Sequence, residues 1–191
     1  MRHQMPHIRL PEDVPGIRSA FMFSPDTARP MLALAEVLLR GQSTLSSAER
    51  EMIATRVSRL NECHFCEASH RAAAAHHLDG GYATVDAVVA DPAAAPISAK
   101  FRGLLRIADR VVLGGRHVST ADVDGARAAG ATDREIHDTV LIAAAFCMFN
   151  RYVDGLATWS PDDPALYDEM GRRLAEVGYA ARPPERADAR S

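Results

Sequence analysis

The stretch Asn61–His70 reads NECHFCEASH, with Cys63 and Cys66 three residues apart and His70 four residues after the second cysteine. Three chemistries fit these residue types. One is a redox pair. Another is a metal site built on Cys63, Cys66 and His70, with His76, His77 or Glu51 as fourth ligand. The third treats both thiols as small buried hydrophobes. Residues three and four apart are neighbours on a helix, so Cys66 would touch both Cys63 and His70. The amino end of a helix offers free N–H groups and a positive dipole, which favour a thiolate. An adjacent imidazole can take the thiol proton. These arguments make Cys66 the better nucleophile and Cys63 its resolving partner. Glu51 lies on the preceding helix. If that helix folds back, its carboxylate faces the pair, and an apolar groove would raise its pKa into a range suited to shuttling protons. His64, His76 and His77 read as surface or partly packed, Cys147 within AAAFCMF as core, and Arg56 and Arg59 as a solvated face.

The elements that must position these residues are helical. Pro6, Pro11, Pro15 and Pro25 break regular structure in the first 25 residues, which read as an arm. Asp26 caps a helix that runs to about Arg40 and stops at Gly41. Ser46 with Glu49 forms a capping box for the next helix, whose stripe is Met52, Ile53, Val57 and Leu60. That helix weakens near Asn61. The cysteine helix follows, ending before Asp79-Gly80-Gly81, and a short helix spans about Ala83 to Val89. Ile97 to Leu113 is strongly amphipathic. Ser119 or Thr120 caps a short helix to Ala129. Thr132 with Glu135 opens the most apolar helix, expected to reach Trp159, with Pro161 beyond it. Asp162 or Asp163, with Pro164 in the first turn, opens a last helix to about Val177. No segment alternates with period two. The expected fold is all-α, a bundle of about eight helices over 26–178, with residues 179–191 a disordered tail.

Composition supports that reading and narrows the function. The chain has 191 residues and is 47% hydrophobic, but only 6% aromatic. Much of the apolar content is alanine, which suits closely packed helices. A net charge of −3 leaves no nucleic-acid footprint. No apolar run reaches the ~20 residues of a membrane span, and the polar, proline-broken start is no secretory signal. The expected location is the cytoplasm, where a CxxC is more often catalytic, sensing or metal-binding than structural. A shift of 84 residues lays Arg50-Glu51 on Arg134-Glu135, Thr55 on Thr139 and Cys63 on Cys147. Asn150 then stands at the place of Cys66, and Asp154 at that of His70.

Glu51, eleven residues, Cys63-His64-Phe65-Cys66, three residues and His70 together match E-x11-C-x-x-C-x3-H. This signature resembles that of the alkylhydroperoxidase D family, within the carboxymuconolactone decarboxylase-like superfamily. Chain length and the stretch FNRYVDGLATWSP, residues 149–161, resemble the peroxidase-related subgroup. The resemblance implies an all-helical fold with an internal repeat, assembled as a homo-oligomer, trimer or hexamer. It implies a peroxidase in which Cys66 attacks a hydroperoxide and becomes a sulfenic acid. Cys63 then closes the disulfide, while Glu51 and His70 relay protons. An external dithiol would reset the pair; no flavin or haem is implied. The decarboxylase branch lacks the cysteine pair. Where the family commonly has a histidine before the second cysteine, this chain has Phe65. From a different class, the same cysteines would serve a redox sensor whose disulfide changes its assembly.

Overall fold

The computed structural model describes residues 5–78 and 81–180. Among them the regular structure is helical throughout, with nine α-helices, one short 3-10 turn and no strand. In chain order the helices are α1 (Ile17–Phe23), α2 (Pro25–Arg40), α3 (Ser47–Leu60), α4 (His64–His76), α5 (Gly81–Ala90), α6 (Ala99–Leu113), α7 (Thr120–Ala128), α8 (Asp133–Gly155) and α9 (Pro164–Glu176).

Both expected capping boxes form. Ser46 Oγ accepts from the Glu49 backbone while Glu49 reaches back to the Ser46 backbone, and Thr132 and Glu135 do the same. Each satisfies two otherwise orphaned donors and fixes where its helix starts. α3 is the central helix and packs against α4, α5, α6 and α8. Met52, Ile53, Ala54 and Val57 on α3 are almost wholly buried. Its polar residues are consequently tied. Arg50 donates to the carbonyls of Leu38 and Gly41, closing the carboxyl end of α2. Arg56, expected on a solvated face, instead holds Asp109 of α6 through two bonds of 3.0 Å. It also donates to the Val89 carbonyl at 2.8 Å. A planar guanidinium with five donors can join three helices in this way.

α2 starts at Pro25 with Ser24 as its N-cap, so Asp26, expected as the cap, lies inside the first turn; three further boundaries differ from expectation. The arm carries α1, a seven-residue helix bracketed by Gly16 and Ser24. Gly16 adopts φ 58° and donates to the Trp159 carbonyl, and any side chain there would collide with the Phe65 ring. The prolines therefore delimit this helix instead of preventing it. α8 stops at Gly155, before Trp159, because Ala157 turns to φ 51° and the Thr158 N–H returns to the Val153 carbonyl. Tyr179, assigned to a disordered tail, is packed at 9% exposure and joins the main core. Gly178 allows this at φ 92°: its N–H bonds the Leu174 carbonyl, and the chain then turns back onto α2. There Glu36 accepts from the backbones of Tyr179 and Ala180. The remaining tail, residues 181–191, and the expected stop at Asp79-Gly80 lie outside the described residues.

Candidate active site

A corner between α3 and α4 sets the cysteines. α3 ends at Asn61, and Glu62 takes a left-handed φ of 60°, uncommon for a residue with a side chain. The Cys63 N–H returns to the Ser58 carbonyl at 3.0 Å. Asn150 of α8, fully buried, holds the corner from outside: it accepts from Asn61 at 2.9 Å and donates to Ser58 Oγ at 3.0 Å. Asn150 is the residue that the 84-residue shift places on Cys66. The helix that the sequence starts at the cysteines starts just after the first. Cys63 is the N-cap of α4, and Cys66 lies in its first turn.

Both thiols are free and nearly closed to solvent, at 0% and 3% exposure. They share a small apolar cluster with Phe65, Val153 and Tyr167. The Cys63 thiol is pushed far above its ordinary pKa, first by its hydrogen bond with the Cys66 thiol and then by burial. The Cys66 backbone N–H works in the opposite direction on Cys63 but does not outweigh these effects. Cys63 is thus held as a thiol. Asp154, at the far end of α8, also accepts from the Cys63 thiol. Burial raises the Asp154 pKa, and that hydrogen bond pulls it back. Burial likewise pushes Tyr167 up to about 12, so it stays a phenol.

Glu51 and His70 meet as the signature requires. Glu51 is fully buried on α3, and the Nδ1 of His70 on α4 lies 2.8 Å from its Oε2. The sequence placed the Glu51 carboxylate against the cysteines. In the structure its two oxygens are taken by His70 and by Tyr179, whose hydroxyl donates to Oε1 at 2.6 Å. The Tyr179 oxygen is also 3.3 Å from His70 Nδ1, and the two rings stack with an interplanar angle of 9°. Phe146 closes the other side of the imidazole, edge-on at 4.5 Å. Burial and the neighbouring Glu51 charge hold Tyr179 well above an ordinary phenol, so it acts as a donor and not as an acid. With Glu51 accepting at Nδ1, the His70 proton sits on that nitrogen and Nε2 is left as the basic one. Cys66 and His70 are one turn apart on α4, which links the carboxylate–imidazole pair to the thiol pair.

The other sequence candidates are dispersed. His76 binds Asp168 through Nε2 at 3.0 Å, while His64 is exposed with its ring edge toward Tyr167. Arg59 makes an exposed ion pair with Glu67. Cys147 is only partly buried, and Asn61 approaches its sulfur at 3.5 Å. The metal alternative finds no support: among the described residues no group of three or more His, Cys, Asp or Glu side chains is placed to hold an ion. Sequence reasoning missed Tyr179 and the contact of Asp154 with Cys63. The glycine ending α9 with an aromatic next to it was the one local signal for Tyr179.

Comparison with known proteins agrees with this geometry. The sequence profile of the carboxymuconolactone decarboxylase family matches residues 25–109, which include Glu51, both cysteines of the pair and His70. No curated protein sequence matches the chain. Among solved structures, an uncharacterized peroxidase-related protein with an alkylhydroperoxidase AhpD core, from Ralstonia eutropha JMP134, is 28% identical with a TM-score of 0.73. The match covers 83% of this chain and 82% of that one. An uncharacterized peroxidase-related protein from Silicibacter sp. TM1040 is 31% identical with a TM-score of 0.72, over 83% of this chain and 81% of that one.

Proposed function

The chain belongs to the carboxymuconolactone decarboxylase family, among its alkylhydroperoxidase-like, peroxidase-related members, and on that premise we propose that it is a cysteine-based hydroperoxide reductase. The observation that carries this reading is a free, buried pair of adjacent thiols, Cys63 and Cys66, one helical turn from a buried Glu51–His70–Tyr179 cluster. His70, oriented by Glu51 at Nδ1, presents Nε2 to take the proton of Cys66. The thiolate attacks the peroxide O–O bond and becomes a sulfenic acid, and the alcohol leaves with a proton. Cys63 then attacks the Cys66 sulfur, water leaves, and the disulfide forms. The sum is one hydroperoxide and two thiols giving one alcohol, one water and one disulfide. Asp154 is placed to receive the Cys63 proton in the second step. An external dithiol returns the pair to thiols by exchange, as the reducing cytoplasm would allow.

The same reading includes a homo-oligomer. α8 leaves Leu141, Ala144 and Met148 exposed at a spacing of three and four, an apolar stretch of its outer face between exposed His137 and Arg151. Such a stripe suits a helix–helix contact with another copy. Among the described residues no helix is long and apolar enough to cross a membrane.

The test is consumption of cumene hydroperoxide with dithiothreitol, for wild type, Cys66→Ser and Cys63→Ser. Cys66→Ser should abolish turnover. Pre-reduced Cys63→Ser, freed of dithiothreitol, should stop after one turnover with a sulfenic acid that dimedone traps. Turnover by Cys66→Ser at the wild-type rate would overturn the assignment.

A further inference from the structure

A cavity of about 490 Å³ lies between α1, α2, α4 and α9 and is closed over by the turn at Gly178-Tyr179. Its volume falls within the range of small-molecule sites. Its wall is largely apolar, with Ile17, Phe21, Leu32, Phe65 and Met170 prominent. Ser69 and His70 also line it, and with Phe65 they flank Cys66 on α4. Tyr179 lines it from the other side of His70. The cavity therefore reaches the proton relay and stops one residue short of the thiol assigned as nucleophile.

Two further lining residues are cationic: Arg18 of α1 and Arg173 of α9. Both are exposed, whereas His70 and Tyr179 are buried, so the arginines mark the solvent mouth and the relay marks the inner end. Although the residue is exposed, the partial enclosure of its guanidinium at the mouth and then the charge of Arg173 push Arg18 below its ordinary pKa. Neither guanidinium has a hydrogen bond or ion pair among the described residues. Glu169, the carboxylate that lines the same cavity, is occupied by Arg172 through bonds of 2.7–3.0 Å. Other arginines of the fold are engaged: Arg50 and Arg56 with backbone or carboxylate partners, Arg71 with Asp86, Arg106 with Asp122. Two like charges lining one apolar cavity, with no ion-pair partner of their own among the described residues, are unfavourable in isolation and complementary to an anion.

We propose that this cavity binds an amphiphilic carboxylate: Arg18 and Arg173 hold the head group, and the apolar wall takes a medium-length hydrocarbon chain reaching toward His70. This rests on the peroxidase reading for its consequence, that the substrate class is a fatty-acid hydroperoxide, which leaves as the hydroxy acid. Guanidinium forks match a carboxylate in geometry as well as in charge. The arginines select the anionic end, and the carbon chain sets how far the peroxide reaches along the cavity.

Binding is read without catalysis, by titration calorimetry of the full-length protein with decanoate, decanol and decyl phosphate. Decanoate should bind at least tenfold more tightly than decanol and no more weakly than decyl phosphate. Arg18→Gln and Arg173→Gln, both at exposed positions, should each weaken decanoate by about tenfold or more, as loss of a charge-assisted partner does. Arg116→Gln, exposed and outside the cavity lining, should change it less than about twofold. Equal binding of decanol, preference for decyl phosphate, or insensitivity to both arginine variants would each overturn the proposal. The kinetic arm compares a fatty-acid hydroperoxide with its methyl ester. The acid should be favoured in kcat/KM by tenfold or more, and Arg18→Gln should bring that ratio close to one. Equal ratios in wild type would refute the substrate class. Absence of any hydroperoxide turnover would refute the peroxidase reading instead, while decanoate binding would still decide the site.

Discussion

Replacing Tyr179 by Phe isolates one hydrogen bond. The ring keeps its volume, so no cavity opens; what is lost is the hydroxyl that donates to Glu51 Oε1 at 2.6 Å. Glu51 is fully buried, and no water reaches it to compensate. A hydrogen bond to a charged group contributes about 1.5–3 kcal/mol, and removing the donor leaves a buried acceptor short of a partner. For a chain of this size each kcal/mol moves Tm by about 2–4 °C. A loss of about 2 kcal/mol should therefore lower Tm by about 4–8 °C at pH 7, measured by thermal unfolding. The same bond orients the carboxylate that fixes His70, so peroxide turnover should fall as well, by about tenfold. A double-mutant cycle with Glu51→Gln separates this from a general weakening of the chain terminus. The two substitutions share a partner and should be non-additive by 0.5 kcal/mol or more. A Tm within 1 °C of wild type, or full additivity with Glu51→Gln, would refute the idea that the end of the chain completes the relay.

Other consequences concern the thiols and the pH response. Asp154→Asn should slow disulfide closure by about tenfold while leaving the first oxidation step largely intact, so that a sulfenic acid accumulates and dimedone captures it; no change in its lifetime would remove Asp154 from the second step. The native pKa of Asp154 is raised. The folded state therefore holds an extra proton between the unfolded and folded values, and stability falls as pH rises through that interval. Asp154→Asn should abolish that slope in denaturation midpoints. At Glu135, burial pushes the carboxyl up, but hydrogen bonds from Lys100 and Thr132 prevail and hold it at about 2. Its contribution to stability is present above about 4.5 and lost as pH falls toward about 2, so Glu135→Gln should flatten the acid limb there. Phe65 belongs to the thiol cluster and also lines the cavity. Phe65→Ala should raise the rate at which both thiols react with a disulfide reagent, at a stability cost of about 3–5 kcal/mol; unchanged reactivity would mean that the ring is not the barrier.

The signals that proved legible in the sequence are local ones. Capping boxes at Ser46 and Thr132, Gly41 after α2, and Pro164 in the first turn of α9 each act through a few neighbouring residues, and each boundary falls where those residues dictate. The Glu51–His70 contact was also within reach, because the spacing of the signature matches that of a known family. What escaped depends on residues distant in sequence. α1 is too short to form alone and exists because it packs against the rest of the fold. Tyr179 reaches Glu51 across 128 positions, and only after α9 has crossed α4, where Gly171 sits against Ala72 too closely for any side chain. Asp154 meets Cys63 because α8 runs on past the corner that separates α3 from α4. No helical period or cap records those distances. The three-way ambiguity of the cysteines had a similar source: spacing gave their neighbours on one helix, while their enclosure by Val153 of α8 and Tyr167 of α9 depends on residues distant in sequence.

The central claim is most directly tested by adding one equivalent of hydroperoxide to the fully reduced protein and mapping its three cysteines by mass spectrometry. The account predicts loss of two thiols per peroxide and one intramolecular disulfide between Cys63 and Cys66, with Cys147 left alkylatable. Cys147 is the most exposed of the three, so unspecific oxidation would fall on it first. Oxidation at Cys147 with the pair still reduced, or consumption of peroxide without a Cys63–Cys66 disulfide, would contradict the account.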